Sequence, residues 1–294
     1  MKENHKVPFS ALGVVLAIGI VFGDIGTSPL YVMRAILNTL PAGQHSHAEY
    51  ILGAISCVIW TLTIQTTLKY VIITLRADNK GEGGILSLYA LIRQKYRWAY
   101  ILAGIGAATL LADGIITPAM TVMSAVEGLQ PIAPHIPVIP ITVAIVLILF
   151  LVQPFGTGSL GRYFGPLMII WFTMMAVMGL SQVVHDLTVF RAFNPMYAIH
   201  FLIEVPQAMI ILGAIFLCTT GAEALYSDLG HCGLKNIRIS WIYVKAALIL
   251  NYLGQAAWII NSGHVTPDVN PFFSMMPEWF RLTGVIMATV AAII

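Results

Sequence analysis

The chain has 294 residues, of which 58% are hydrophobic and only 10% are charged, and its formal net charge is +2. A soluble domain carries about 25% charged residues, so this composition excludes an ordinary soluble surface. The small net charge offers no electrostatic footprint for nucleic acid, and none is expected as a partner. The mean hydropathy of +0.85, with apolar windows of about 20 residues, predicts an all-α polytopic membrane protein.

Eight apolar segments along the chain are candidates for membrane spans. They cover roughly residues 10–40, 51–75, 100–127, 138–153, 166–184, 206–229, 240–260 and an incomplete one that starts at 282. Polar residues interrupt the first and the sixth segment. Because the eighth segment runs to the last printed residue without a polar flank, we expect the chain to be a C-terminally truncated piece of a longer protein.

The distribution of Lys and Arg over the connecting segments predicts which side of the membrane each one faces. The segments on the side of the N-terminus carry ten of them: Lys2, Lys6, Arg76, Lys80, Arg93, Lys95, Arg97, Arg162, Lys235 and Arg238. The segments on the other side carry two, Arg191 and Arg281. Since positive charge is retained in the cytoplasm, this asymmetry predicts a cytoplasmic N-terminus. Arg34, Lys69 and Lys245 lie near span ends, where long side chains can reach the interface.

Two polar stretches break the first and the sixth segment. They are "GDIGTSPLY" (23–31) and "TTGAEALY" (219–226), and both contain the pattern G-x-x-x-L-Y. A helix break is tolerated in a membrane only around a protein-buried or water-filled cavity. We therefore predict broken-helix backbone at Gly23, Gly26 and Gly221, with freed carbonyl groups acting as ion ligands. A simple Pro/Gly kink is the alternative.

The places of the two breaks predict an internal repeat. Discontinuous first and sixth spans are typical of a five-helix unit that occurs twice in inverted orientation. The first repeat would cover about residues 10–184 and an incomplete second one about 206–294, within a single partial transport domain over 1–294.

Three carboxylates lie inside predicted spans: Asp24 at the first break, Asp113 in the third span and Glu223 at the second break. An acid at the bilayer centre costs about 2.5–3.5 kcal/mol on insertion scales. Such residues need a cation, a proton or a partner, and we favour a cation site over pairing with Arg or hydroxyl groups. Hydroxyl groups near the three acids suit a hard, partly dehydrated alkali ion: Thr27, Ser28, Tyr31, Thr117, Thr219 and Thr220.

The other polar residues give weaker signals. Glu127 and Asp228 lie near span ends and are interpreted as interfacial acids, and Asp78 and Glu82 as loop acids. The scattered cysteines predict no disulfide framework. No catalytic arrangement such as H-E-x-x-H is present, so the chain is not expected to be an enzyme.

Seven motifs resemble those of the KUP/HAK/KT potassium uptake permeases. In family order they are "GDIGTSPLYV", "RADNKGEGGI", "ADGIITPAMTVMSAVEGL", "FNPMYAIHFL", "TTGAEALYSDLGH", "ALILNYLGQAAW" and "NPFFSMMPEW". The resemblance extends from residue 23 to residue 279. It implies a LeuT-like inverted-repeat fold of the amino acid–polyamine–cation superfamily, and potassium import coupled to protons at the plasma membrane, here a bacterial inner membrane.

The resemblance also implies roles for individual residues. Asp24 and Tyr31 match residues linked to K⁺ coordination, and Thr220 and Glu223 match the elements of the sixth span. Asp113 falls where the family has an acid in its third span, and some members have Glu there. The implied partners are K⁺ as substrate, H⁺ as coupling ion and the lipid bilayer, with a homodimer left open and no cofactor.

The mechanism expected from these residues is alternating access, with K⁺ held between the two broken helices. Asp113 or Glu223 would carry the coupled proton, since ion occupancy and protonation are linked at a buried acid. Two alternatives stay open. One is a potassium channel, although a T-V-G-Y-G filter is absent from the sequence. The other is a sensor or inactive fragment that binds the ion without transporting it.

Overall fold

The computed structural model describes residues 7–39, 48–133, 135–152, 161–205, 208–263 and 269–294. Within these ranges the regular secondary structure is helical, apart from one isolated bridge between Asn79 and Glu82. The predicted all-α class is therefore confirmed for the described part of the chain. Lys2, Lys6 and the side chain of Arg162, which contribute to the predicted orientation, lie outside the described residues.

The first span is a bent series of helices. It consists of α1 (Ala11–Val21), α2 (Gly23–Thr27), a 3-10 turn (Ser28–Leu30) and α3 (Val32–Thr39). The axes of residues 11–21 and 23–30 differ by 66°. Ser10 caps α1 by accepting a hydrogen bond from the Gly13 amide.

The bend itself differs in detail from the prediction. Its non-helical residue is Phe22, with φ −110° and ψ 12°, and Tyr31 leaves the helical region after the 3-10 turn, with φ −127°. Gly23 and Gly26 lie within α2, and the Gly26 amide donates to the Phe22 carbonyl at 3.0 Å. Gly26 is instead needed for packing, because a Cβ atom there would lie 2.6 Å from the Phe172 ring.

The next spans follow in the predicted order. α4 (Ala48–Thr61) continues directly as a π-helix (Leu62–Ile73) and a 3-10 turn (Thr74–Arg76). Four further helices are α5 (Ile85–Ile92), α6 (Ala99–Glu127), α7 (Val138–Val152) and α8 (Gly161–Val183). π-helical segments are rare and are mostly single turns, so the 12-residue π segment is an unusual feature, and no pattern in the sequence predicts it.

The second half begins with a 3-10 helix (Leu187–Phe193) and α9 (Pro195–Glu204). The sixth span is divided into α10 (Ala208–Phe216), a 3-10 turn (Leu217–Thr219) and α11 (Ala224–Ser227). The remaining helices are α12 (Leu229–Cys232), α13 (Leu234–Ser262), α14 (Pro271–Ser274) and α15 (Glu278–Ile293).

Helix length and composition identify the membrane-spanning elements within the described ranges. Four helices are long and apolar enough to cross a bilayer: Ala48–Arg76, Ala99–Glu127, Tyr163–Val183 and Ala208–Ser227. The bent first span is a fifth candidate if both parts are counted together. Of the other predicted spans, α7 and α15 are shorter, with 15 and 16 residues, and α13 has 29 residues but carries Lys235, Arg238 and Lys245. The chain is a multi-pass helical membrane protein.

Helices α1, α8 and α13 form a compact centre because glycines let their backbones approach. A Cβ atom at Gly179 of α8 would lie 2.7 Å from the Asn251 Cα of α13. Gly19 of α1 faces Gly165 of α8 in the same way. Small residues at helix contacts permit such close packing in membranes. This centre contacts the bent segment of the first span, where Trp171 of α8 donates to the Gly26 carbonyl.

Candidate functional site

The structure brings the three predicted intramembrane acids together. One carboxylate oxygen each of Asp24, Asp113 and Glu223 lies within 4.8 Å of the other two, and all three residues are partly buried. The acids come from α2, from α6 and from the residue before α11. Residues that are about 90, 110 and 200 positions apart along the sequence thus form one site, which we call the acid cluster.

Asp24 reaches the acid cluster because the chain bends at Phe22 and places it in the first turn of α2. Its backbone carbonyl accepts a hydrogen bond from Thr27 Oγ1 at 2.9 Å. Its side-chain atom Oδ1 is buried, and no described group donates a hydrogen bond to it. Buried polar atoms are nearly always paired, so this oxygen is free to bind a cation or a proton.

The second break places its backbone directly against Asp24. Thr220 is extended, with φ −55° and ψ 135°, and Gly221 has φ +81°, a left-handed conformation that strongly favours glycine. A Cβ atom at Gly221 would lie 2.7 Å from Asp24 Cβ. The backbone is thus non-helical at Thr220 and Gly221, and this second break meets the first break at the acid cluster.

The hydroxyl groups predicted around the cation have different surroundings. Thr117 Oγ1 donates to Asp113 Oδ1 at 2.9 Å. The Tyr31 hydroxyl lies 3.5 Å from Ser28 Oγ and beside Thr220. By contrast, the Thr219 hydroxyl bonds the carbonyl of Phe216 at 2.8 Å within its own turn. Among these hydroxyl groups, that of Thr117 thus donates to a carboxylate of the cluster, whereas that of Tyr31 lies with Ser28 and Thr220.

Carbonyl groups at the first break were expected to be ion ligands, and three of them have side-chain donors instead. Trp171 Nε1 donates to the Gly26 carbonyl at 2.9 Å, and Gln255 Nε2 to that of Pro29 at 3.1 Å. Asn270 Nδ2 donates to the Leu30 carbonyl at 2.9 Å. The fold thus pairs these carbonyl groups with side chains of other elements.

The nearby bases have partners other than the three acids. Arg34 on α3 forms an ion pair with Glu127 at the end of α6. Lys245 Nζ contacts the hydroxyls of Thr63 and Thr67 in the second span, both at 3.0 Å. The sequence pattern indicates an interfacial acid at Glu127 and a side chain near a span end at Arg34, and the structure adds that the two form a pair.

Comparison with known proteins places these features in a family. Residues 11–294 match the family model described as the K⁺ potassium transporter integral membrane domain. The chain is 57% identical over 299 residues to a protein of Cytophaga hutchinsonii, with 100% of this chain and 45% of that protein covered. It is 51% identical over 301 residues to one of Enterococcus faecalis, with 97% and 45% covered. Both relatives bear the name "probable potassium transport system protein Kup".

The chain spans about half the length of the curated relatives it matches. A protein of Flavobacterium johnsoniae shows the same relationship, at 51% identity over 308 residues with 46% of its length covered. No solved structure matches the chain.

Proposed function

Since this chain belongs to the K⁺ potassium transporter family, we propose that it forms the ion-binding part of a secondary active potassium uptake system in the bacterial plasma membrane. The single observation that carries the proposal is the acid cluster, in which Asp24, Asp113 and Glu223 meet where two helices are broken. The relatives' name, which refers to potassium transport, supports the choice of cargo.

The charge of the cluster selects a cation. Two ionised carboxylates within 4.8 Å of each other repel by roughly 3.5 kcal/mol or more at an effective dielectric constant of 20. Three ionised carboxylates at these distances repel one another strongly unless a cation or protons neutralise part of their charge. We assign K⁺ coordination to Asp24, Glu223, Tyr31 and Thr220. Thr117 supports Asp113 by its hydrogen bond.

The same repulsion supports coupling to protons. A single K⁺ neutralises only one of the three carboxylates, so the repulsion between the other two favours a proton on one of them, and K⁺ and H⁺ are then bound and carried inward together. Asp113 and Glu223 are our candidates for the proton-carrying acid. In this proposal the chain is part of a K⁺/H⁺ symporter that works by alternating access.

We also propose that the helices follow the LeuT-like inverted-repeat arrangement, with repeats over about 10–184 and 206–294 and a cytoplasmic N-terminus. Supporting observations are the divided first and sixth spans and their contact at Gly221 and Asp24. The segment before α1 also lies beside α13, because Asn236 Nδ2 donates to the Pro8 carbonyl at 3.3 Å. Both segments belong to the side that is rich in Lys and Arg.

Uptake of ⁸⁶Rb⁺ tests the site. The complete reading frame is expressed in a bacterium that lacks its own potassium uptake systems. We expect Asp24→Asn and Glu223→Gln to lower uptake at least about tenfold, because each removes a charge that faces the ion. Glu204→Gln is the matched control, since Glu204 lies on α9 with a 67% exposed side chain. Wild-type uptake by Asp24→Asn would contradict the assignment.

Liposomes distinguish the carrier from its alternatives. A symporter moves protons inward together with K⁺, so an internal pH dye should report acidification that depends on K⁺. K⁺ flux without acidification would indicate a channel. K⁺ binding without flux would indicate a sensor or a fragment that needs further helices.

A further inference from the structure

Two buried amide side chains of α13 connect α8 to the first break. Gln255 Nε2 donates to the Pro29 carbonyl at 3.1 Å and also to Asn251 Oδ1 at 2.8 Å. Asn251 Nδ2 donates in turn to the Met175 carbonyl of α8 at 3.1 Å. Both amides are 0% exposed. The resulting chain of hydrogen bonds, from Met175 through Asn251 and Gln255 to Pro29, is called the amide relay below.

The orientation of each amide in the relay is fixed by its partners. Gln255 Nε2 faces two acceptors, a carbonyl and an amide oxygen, so only the NH₂ group of Gln255 fits at that place. Likewise, Asn251 must present its oxygen to Gln255 and its nitrogen to the Met175 carbonyl. The relay therefore has one arrangement of donors and acceptors.

This arrangement leaves Gln255 Oε1 buried without a described donor. An unsatisfied buried acceptor costs free energy, and an apolar side chain of the same size would avoid that cost. Gln255 thus costs folding free energy through its unsatisfied Oε1, while its Nε2 holds the Pro29 carbonyl at the first break. A residue whose role was only to stabilise the helix pair would be better replaced by Leu or Met.

The carbonyl held by the relay lies next to the predicted K⁺ ligands. Pro29 occupies the 3-10 turn Ser28–Leu30 and is followed at once by Leu30 and Tyr31. The Tyr31 hydroxyl points to Ser28 and Thr220. Any rotation of the Pro29–Leu30 peptide unit therefore changes the direction in which Tyr31 enters the site.

We propose that Asn251 and Gln255 are positioning residues, which set the geometry of the first break and through it the affinity and selectivity of the cation site. This inference deepens the proposed function and rests on it. The end of the relay at Met175 and Asn251 is rigid, because α8 and α13 contact each other backbone to backbone at Gly179 and Gly254. Through its hydrogen bond to the Pro29 carbonyl, the relay holds the backbone next to Tyr31 in a fixed position relative to α8 and α13.

The first test measures K⁺ binding to the purified chain in lipid nanodiscs by titration calorimetry. Gln255→Met keeps the volume and removes the donor to Pro29, and we expect the Kd for K⁺ to rise about five- to tenfold. We also expect the ratio of the Na⁺ and K⁺ Kd values to fall, a change that general loss of stability does not produce. Gln255→Asn keeps an amide but is too short to reach Pro29, and should show the same changes if Gln255→Met folds poorly.

A matched pair of variants separates the relay from burial alone. Asn251 and Asn236 both lie on α13, both are 0% exposed, and both donate to backbone carbonyls. Asn251→Leu should weaken K⁺ binding, whereas Asn236→Leu should lower the unfolding temperature and leave the Kd within about twofold. Equal Kd values for wild type, Gln255→Met and Asn251→Leu, with binding still abolished by Asp24→Asn, would overturn the relay and leave the proposed function intact.

A second measurement does not depend on K⁺. Hydrogen exchange followed by mass spectrometry reports the opening of the peptide that covers residues 22–39. Gln255→Met should speed exchange in that peptide by about tenfold, and Asn236→Leu should not. If the wild-type chain binds no K⁺, the proposed function fails, and this exchange result still decides the relay: unchanged exchange in Gln255→Met refutes it.

Discussion

Gly221 lies against Asp24 so closely that a Cβ atom at position 221 would be 2.7 Å from the Cβ of the aspartate. The residue is also left-handed, with φ +81°. Glycine is thus required twice at this position, once by its backbone conformation and once by the acid that it faces. The contact joins the two broken spans at the point where the cation is proposed to bind.

Gly221→Ala should therefore abolish K⁺ binding. The left-handed conformation alone costs a non-glycine residue about 1–2 kcal/mol, and the added methyl group also displaces the Asp24 side chain. Calorimetric titration with K⁺ measures the effect. Gly104→Ala is the control, because an added Cβ at Gly104 of α6 meets nothing within 4 Å and should leave the affinity unchanged. Wild-type affinity in Gly221→Ala would show that the contact is unimportant.

Thr117→Val should weaken K⁺ binding by about tenfold or more, since the hydroxyl donates to Asp113 Oδ1 at 2.9 Å and a hydrogen bond to a charged group contributes about 1.5–3 kcal/mol. Thr109→Val on the same helix is matched to it, because the Thr109 hydroxyl bonds only the Gly106 carbonyl of its own turn. Equal effects of the two substitutions would mean that Asp113 does not need its hydroxyl donor.

The Arg34–Glu127 ion pair should stabilise the contact between α3 and α6. The two side chains are 25% and 13% exposed, and removing one partner of a partly buried pair leaves the other charge uncompensated. We expect Arg34→Met and Glu127→Gln each to lower the free energy of unfolding by about 1–3 kcal/mol, and the double variant to lose clearly less than the sum. Reversible unfolding in mixed micelles measures the free energies of unfolding of the wild type, the two single variants and the double variant, which together form a double-mutant cycle.

The His200–Glu204 pair provides the comparison for that cycle. Its side chains are 61% and 67% exposed, and exposed pairs typically contribute under about 1 kcal/mol. We expect a coupling energy near zero for this pair. A coupling energy no larger for Arg34 and Glu127 would contradict a stabilising role for their contact.

The three cysteines should be unreactive in the folded protein. Cys57, Cys218 and Cys232 are free and buried. Burial, together with the charge of Asp228, raises the pKa of the Cys232 thiol to about 12, so its reactive thiolate form is scarce at neutral pH. A maleimide dye should label the chain only above the unfolding temperature. Glu204→Cys supplies an exposed control that reacts at once, and equally fast labelling of the wild type would refute the buried positions.

The residues of the acid cluster could be predicted from the sequence alone. An acid within an apolar segment is costly wherever it lies, so Asp24, Asp113 and Glu223 stand out without any structure. The break at Gly221 is also visible, because glycine beside polar residues interrupts a helix. The sequence predicted these residues and one shared cation, and the structure adds that their carboxylates lie within 4.8 Å of one another.

The partners of the first break could not be predicted in the same way. Trp171, Gln255 and Asn270 each satisfy one carbonyl near the bend, and each is more than 140 positions away in the sequence. Nothing in the local pattern of a Trp, Gln or Asn tells which backbone group it will bond. The same holds for Arg34 and Glu127, which are 93 positions apart. Such pairs depend on how the helices pack.

The glycine contact between α8 and α13 has a mechanical consequence. Most helix interfaces absorb small displacements by changing side-chain rotamers, but the contact of Gly179 with Leu250 and Asn251 consists of backbone atoms on both sides. Neither helix can slide past the other there without a clash of main-chain atoms. Helices α8 and α13 therefore move as one rigid pair. Any conformational change of the protein must take place in the elements that pack against them.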